Sequence, residues 1–67
     1  MELISFKKGG AEISFSESEL LILNAALNEI CNGIDLEEFE TRMGSDREEV
    51  SILLGKIGFV LDKISIA

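Results

Sequence analysis

The chain has 67 residues, with thirteen acids against six bases, a net charge of −7, one Cys and no His, Pro, Trp or Tyr. Without His and with one Cys, a single chain cannot assemble a common zinc site, a serine triad, a Cys–His dyad or an internal disulfide. The negative charge argues against binding to nucleic acid, whose phosphates require a basic surface. We therefore expect no enzyme activity and no metal or cofactor site.

The sequence carries no signal for export or membrane insertion. The longest uninterrupted apolar run, residues 20–23, has four residues, whereas a helix that spans a bilayer needs about 20. Near the start of the chain, Lys7-Lys8 precedes two glycines instead of an apolar run, which is not typical of a secretory signal. These features predict a soluble cytoplasmic protein that forms one small domain over residues 1–67.

The first fifteen residues have the alternating pattern of a β-hairpin. Ile4 and Phe6 fall on one side of an extended chain, and Ala11, Ile13 and Phe15 fall on one side of the next. Between them Gly9-Gly10 provides the positive φ that tight turns need. We expect a hairpin over residues 2–15 whose apolar face needs cover, because an isolated hairpin is marginally stable.

Three helices follow, each with its own start and stop signals. Ser16 and Glu19 form an S-x-x-E capping box that opens a helix over about 17–32, and Gly33 is predicted to end it in a left-handed conformation. A short second helix over 36–43 ends at Gly44, and either Ser45 or Asp46 caps a third over 46–64. The predicted fold class is α+β, mostly α: an N-terminal hairpin followed by three helices.

Residues 37–53 resemble a helix-turn-helix unit. The apolar positions of that family are matched by Phe39, Met43, Val50 and Leu53, and its turn glycine by Gly44. The resemblance covers about a quarter of the chain and implies a tri-helical fold and a transcriptional regulator. The acidic residues at the start of the helix that would recognise the DNA bases, however, would be repelled by the phosphates and by the negative potential of the DNA groove.

Most carboxylates lie in predicted first turns, where the helix dipole favours them, so we interpret them as caps and solvated surface. Asn24, Asn28 and Asn32 recur every four residues on the first helix. This polar stripe is either ordinary surface with a cap at Asn32, or a row of amides that binds a partner or the third helix. Cys31 lies beside the apolar face and is expected to be a small buried hydrophobe.

The third helix has two apolar faces. A broad stripe forms its predicted core face (Val50, Leu53, Leu54, Ile57, Val60, Leu61 and Ile64). A second line, which we call the outer line, lies on the other side (Ile52, Phe59 and Ile66), and Gly55 lies beside it. On the first helix, Leu21 and Ala25 similarly fall outside the core face. Either the hairpin covers the outer line, or the line is a self-complementary helix–helix seam in which glycine permits close approach.

A domain of this size cannot sequester all these apolar sets by itself. We therefore expect a non-enzymatic protein-interaction module that forms a homodimer or binds another protein. Residues 17–45 hold seven acids and one base, which is the usual pattern of a solvated face. The functional alternative is an acidic immunity- or antitoxin-type protein with a basic partner, because opposite fields speed association.

Overall fold

The computed structural model describes residues 1–66 and the side chains of residues 1–65. An antiparallel two-stranded hairpin precedes three helices, which confirms the predicted α+β, mostly α fold class. The elements are β1 (Glu2–Lys7), β2 (Gly10–Ser14), α1 (Glu17–Asn28), α2 (Phe39–Met43) and α3 (Arg47–Ile66). A π-helical segment, Glu29–Gly33, extends α1 at its C-terminal end.

The hairpin turns at Gly9, whose φ of 81° lies in the left-handed region that glycine adopts readily. Leu3 pairs with Ile13, and Phe6 pairs with Ala11. Between these pairs the register shifts by one residue at a β-bulge that contains Ile4. The strict alternation expected from the sequence is therefore interrupted at Ile4, and the extra residue places Phe6 on the same side of the hairpin as Leu3.

The start of α1 has the predicted capping box. The Ser16 hydroxyl accepts a hydrogen bond from the Glu19 amide at 3.1 Å, and the Ser16 amide donates to Glu19 Oε1 at 2.9 Å. The other carboxylate oxygen, Glu19 Oε2, accepts a hydrogen bond from the Met1 ammonium group. This hydrogen bond, followed by the bond from the Ser16 amide, lowers the pKa of Glu19 from 4.5 to about 2. Glu19 thus joins the start of β1 to the start of α1.

The other end of α1 differs from the prediction. Gly33 was expected to be a left-handed cap, but the positive φ values among the described residues fall at Gly9, Glu38 and Gly44. The helix instead widens into the π-helical segment, and the Ile34 amide donates to the Glu29 carbonyl at 3.0 Å. Gly33 ends this wider turn without leaving helical geometry.

The second helix begins at Phe39, later than residue 36, because Glu38 takes a left-handed conformation with φ 54°. It ends at Gly44 as predicted, with φ 70° and the glycine amide bonded to the Glu40 carbonyl at 2.9 Å. For α3, Asp46 is the cap, since its Oδ1 accepts from the Glu49 amide at 2.8 Å. Ser45 instead donates its hydroxyl to the Glu49 carboxylate at 2.6 Å.

The hydrophobic core lies where the end of α1, α2 and the first half of α3 meet. Cys31, Phe39 and Val50 are buried there, which agrees with the interpretation of Cys31 as a core residue. Partly buried apolar side chains pack around them (Leu27, Ile30, Leu36, Met43 and Leu54). This core is at the opposite end of α1 from the hairpin, so the hairpin contributes nothing to it.

Arg47 ties the three helices together at this core. Its Nη1 donates to the Cys31 carbonyl at 2.9 Å, and its guanidinium carbon lies 4.4 Å from the centroid of the Phe39 ring. The first contact gives a hydrogen-bond donor to a backbone carbonyl at the C-terminal end of the first helix, where a positive charge interacts favourably with the helix dipole. The second is a cation–π contact. The first residue of α3 thereby fixes the ends of α1 and α2.

Candidate interaction surface

The folded chain exposes more surface than a monomer of its mass normally does. Its accessible area is 5340 Å², whereas a folded 7.3 kDa monomer exposes about 4,200 Å². The chain buries about half of its unfolded surface instead of about 60%. The radius of gyration is 13.4 Å, against about 11 Å for a compact chain of this length. The excess of about 1,100 Å² exceeds the roughly 800 Å² that each partner buries in a standard interface.

Part of this excess lies on the outer line of α3. Phe59 is 61% exposed and Ile52 is 52% exposed, so the hairpin of the same chain does not cover the line. The Lys63 ammonium group lies 5.2 Å from the centroid of the Phe59 ring. Ile66 ends α3, but its side chain lies outside the described residues.

The two glycines of α3 do not break the helix, which is continuous from Arg47 to Ile66. A Cβ atom built on Gly55 or Gly58 would meet no other atom within 4 Å. Neither glycine is therefore required by packing inside the chain, although each costs an exposed helix about 1 kcal/mol relative to Ala. Gly55, which is exposed and lies beside the outer line, leaves the backbone open to close approach from outside.

The candidate residues of α1 are also open to solvent. Leu21 is 52% exposed, and Ala25 is exposed beside it. In the polar stripe, Asn32 Nδ2 donates to Asn28 Oδ1 at 3.0 Å, while Asn24 is half-buried. The amides of Asn28 and Asn32 thus bond each other along the helix surface instead of reaching α3.

Sequence reasoning did not find an apolar groove between the base of the hairpin, α1 and α3. The groove has a volume of about 330 Å³ and one charged side chain, Lys56, among its lining residues. The other lining residues are apolar (Ile13, Phe15, Leu20, Ile57, Val60 and Ile64). Several of these were assigned to the core face of α3. Val60 and Leu53 are in fact 42% and 50% exposed, so this part of the expected core face is open to solvent.

No three acidic or cysteine side chains in residues 1–66 come together in a group that would hold a metal ion. No polar or charged residue is buried within that range. Apart from the half-buried Glu19, the acids of α1, α2 and the segment between them, among them Glu17, Glu29, Glu37 and Glu40, are exposed. The surface of the described residues therefore combines exposed apolar area with a negatively charged face.

Comparisons with known proteins add no identification. No protein-family model matches the chain, and neither the curated proteins nor the solved structures gave a match. Within the described part of the chain, no helix has both the length and the apolar character that crossing a bilayer requires. The properties of the chain therefore have to be inferred from its own surface.

Proposed function

We propose that this chain is a cytoplasmic, non-enzymatic protein-interaction module that acts as a homodimer. The observation that supports this most strongly is the surplus of about 1,100 Å² of accessible surface over that of a normal monomer. Much of it belongs to large apolar side chains that a stable monomer rarely leaves exposed together. A second copy is the simplest cover, because closed two-fold pairs are the commonest oligomers.

The outer line of α3 is the proposed seam between the two copies. Two α3 helices that cross near Gly55 can approach closely, since no side chain stands between their backbones there. Phe59, which is 61% exposed, then loses an exposed area of about 120 Å² for a ring side chain of about 200 Å². At 25 cal/mol per Å² this burial contributes about 3 kcal/mol per chain as an upper value. Leu21 and Ala25 of α1 are the flanking candidates.

Light scattering coupled to size exclusion, with two variants that add the same charge, tests the seam. Phe59→Glu introduces a carboxylate on the outer line, and Thr41→Glu introduces one on the exposed surface of α2. We expect Phe59→Glu to shift the mass from twice 7.3 kDa to 7.3 kDa, and Thr41→Glu to leave the dimer intact. An unmodified chain that is monomeric at every concentration would overturn the proposal.

A second candidate function rests on the acidic face. Seven acids against one base in residues 17–45 create a field that would speed association with a basic protein, as in immunity or antitoxin proteins. An association rate with such a partner that falls steeply between 20 and 200 mM salt, by about tenfold or more, would favour this role. A rate independent of salt would exclude it.

The helix-turn-helix alternative has less support. The order of α2, a left-handed Gly44 and α3 resembles that unit, but Asp46, Glu48 and Glu49 lie at the start of α3. The base among them, Arg47, is engaged with the Cys31 carbonyl and the Phe39 ring. A shift assay with duplex DNA at low salt, where even non-specific binders show affinity, distinguishes the two functions. Binding there would favour the regulator over the interaction module.

A further inference from the structure

The hairpin projects from the helices with its apolar face uncovered. The bulge at Ile4 places Leu3 and Phe6 on the same face as Ala11 and Ile13. Phe6 is 79% exposed and Leu3 is 60% exposed. A two-stranded hairpin with one apolar face needs a surface to pack against. The helices of its own chain do not provide that surface.

The groove has the complementary character. It is concave, apolar and continuous with the hairpin, since Ile13 belongs both to the hairpin face and to the groove lining. A protruding aromatic side chain and an empty apolar groove therefore lie on the same side of one molecule. In a two-fold dimer such features meet reciprocally, because residue i of one copy contacts residue j of the other and the reverse.

We propose that the hairpin is an arm that packs on a second copy of the chain, with Phe6 of each copy in the groove of the other. The inference rests on the homodimer proposed above and specifies how its two copies engage. Each dimer then contains two identical arm-to-groove contacts besides the seam along the outer line. The floor of each contact is formed by Ile57, Val60 and Ile64.

The dimensions and charges of the arm fit this role. A six-residue strand such as β1 spans about 20 Å, which is about twice the diameter of a helix, so the arm is long enough to cross a helix of a second copy. The tip carries Lys7 and Lys8, whereas the first turn of α1, beside the groove residue Leu20, carries Glu17 and Glu19. Packing the arm on a second copy brings a positive tip to a negative face.

Variants with one added cysteine, mixed in pairs, test the contact, because a link between different chains reports only contacts between copies. Phe6→Cys and Val60→Cys chains are equilibrated together to exchange subunits and treated with a short bismaleimide. The control pair is Phe6→Cys with Thr41→Cys, which places the second thiol on α2, away from the groove. Cys31 stays in every variant, since it is buried, and the unmodified chain measures its background reaction.

We expect the Phe6→Cys and Val60→Cys mixture to give cross-linked dimer at least tenfold above the control pair. We also expect Phe6→Asp to weaken dimerisation at least tenfold, whereas Lys8→Asp has a smaller effect. Efficient linking of Phe6→Cys to itself would overturn the proposal in favour of hairpin-to-hairpin pairing. A dimer without the Phe6–Val60 link would overturn the arm and leave the homodimer standing, and a monomeric chain would overturn both.

Discussion

The contact of Arg47 with the ends of α1 and α2 leads to a quantitative prediction about stability. The substitution Arg47→Met keeps most of the aliphatic stem but removes the guanidinium group. It therefore deletes the hydrogen bond to the Cys31 carbonyl and the cation–π contact with Phe39. Both contacts connect helices that share few buried core residues. Removing them should therefore lower the free energy of global unfolding.

The expected magnitude follows from the two contacts. A hydrogen bond from a charged donor contributes about 1.5–3 kcal/mol, and an exposed cation–π contact about 0.5–1 kcal/mol. Because Arg47 is an exposed residue whose hydrogen bond to Cys31 is only partly buried, we take the lower end and expect the free energy of unfolding to fall by about 2 kcal/mol. A single core of this size supplies about 3–5 kcal/mol, so this is a large fraction of the total.

Urea unfolding followed by circular dichroism measures the loss, at one fixed protein concentration because association adds to the apparent stability. Arg42→Met is the matched control, since Arg42 is exposed on α2 and should change stability by less than about 0.5 kcal/mol. A double-mutant cycle with Phe39→Leu isolates the cation–π part. An Arg47→Met chain as stable as the Arg42→Met chain would refute the assigned role of Arg47.

Three further predictions concern single positions. Ionised Glu19, whose pKa is lowered to about 2, stabilises the folded state above about pH 4.5, and this contribution is lost as the pH falls toward 2. Glu19→Gln should therefore be less stable than the parent chain at pH 7 and equally stable near pH 2 in acid-unfolding profiles. Parallel profiles of the two chains would contradict this. Gly55→Ala should weaken dimerisation in sedimentation assays, whereas Gly58→Ala should not, although each substitution favours the helical conformation by about 1 kcal/mol. Equal dimer affinity for both variants would show that Gly55 does not lie in the seam. Asp46→Ala should cost α3 about 1 kcal/mol in thermal unfolding through loss of its cap, and an unchanged midpoint would mean that Ser45 replaces it.

The features that the sequence predicted are those governed by neighbouring residues. The capping box at Ser16, the glycine turn at Gly9 and the end of α2 at Gly44 each depend on a few adjacent positions, and all three are present. The bulge at Ile4 has no residue signature, because it depends on which side chains the paired strands place together. It could not be anticipated from an alternating pattern.

The end of α1 and the groove depend on contacts between residues that are distant in the sequence. The π-helical segment and the unexpected geometry at Gly33 accompany a contact from Arg47, sixteen residues beyond Cys31. The exposure of Leu53 and Val60 depends on the tertiary arrangement, which helical periodicity does not contain. Periodicity did place Ile52 and Phe59 on the same side of a regular helix, and both side chains are more than half exposed.

The central claim is that a second copy covers the apolar surface that one chain leaves exposed. Sedimentation equilibrium of the unmodified chain between 1 and 100 μM tests it most directly. We predict a mass of twice 7.3 kDa over most of this range, with dissociation toward the lowest concentrations. A single species of 7.3 kDa throughout would contradict the account.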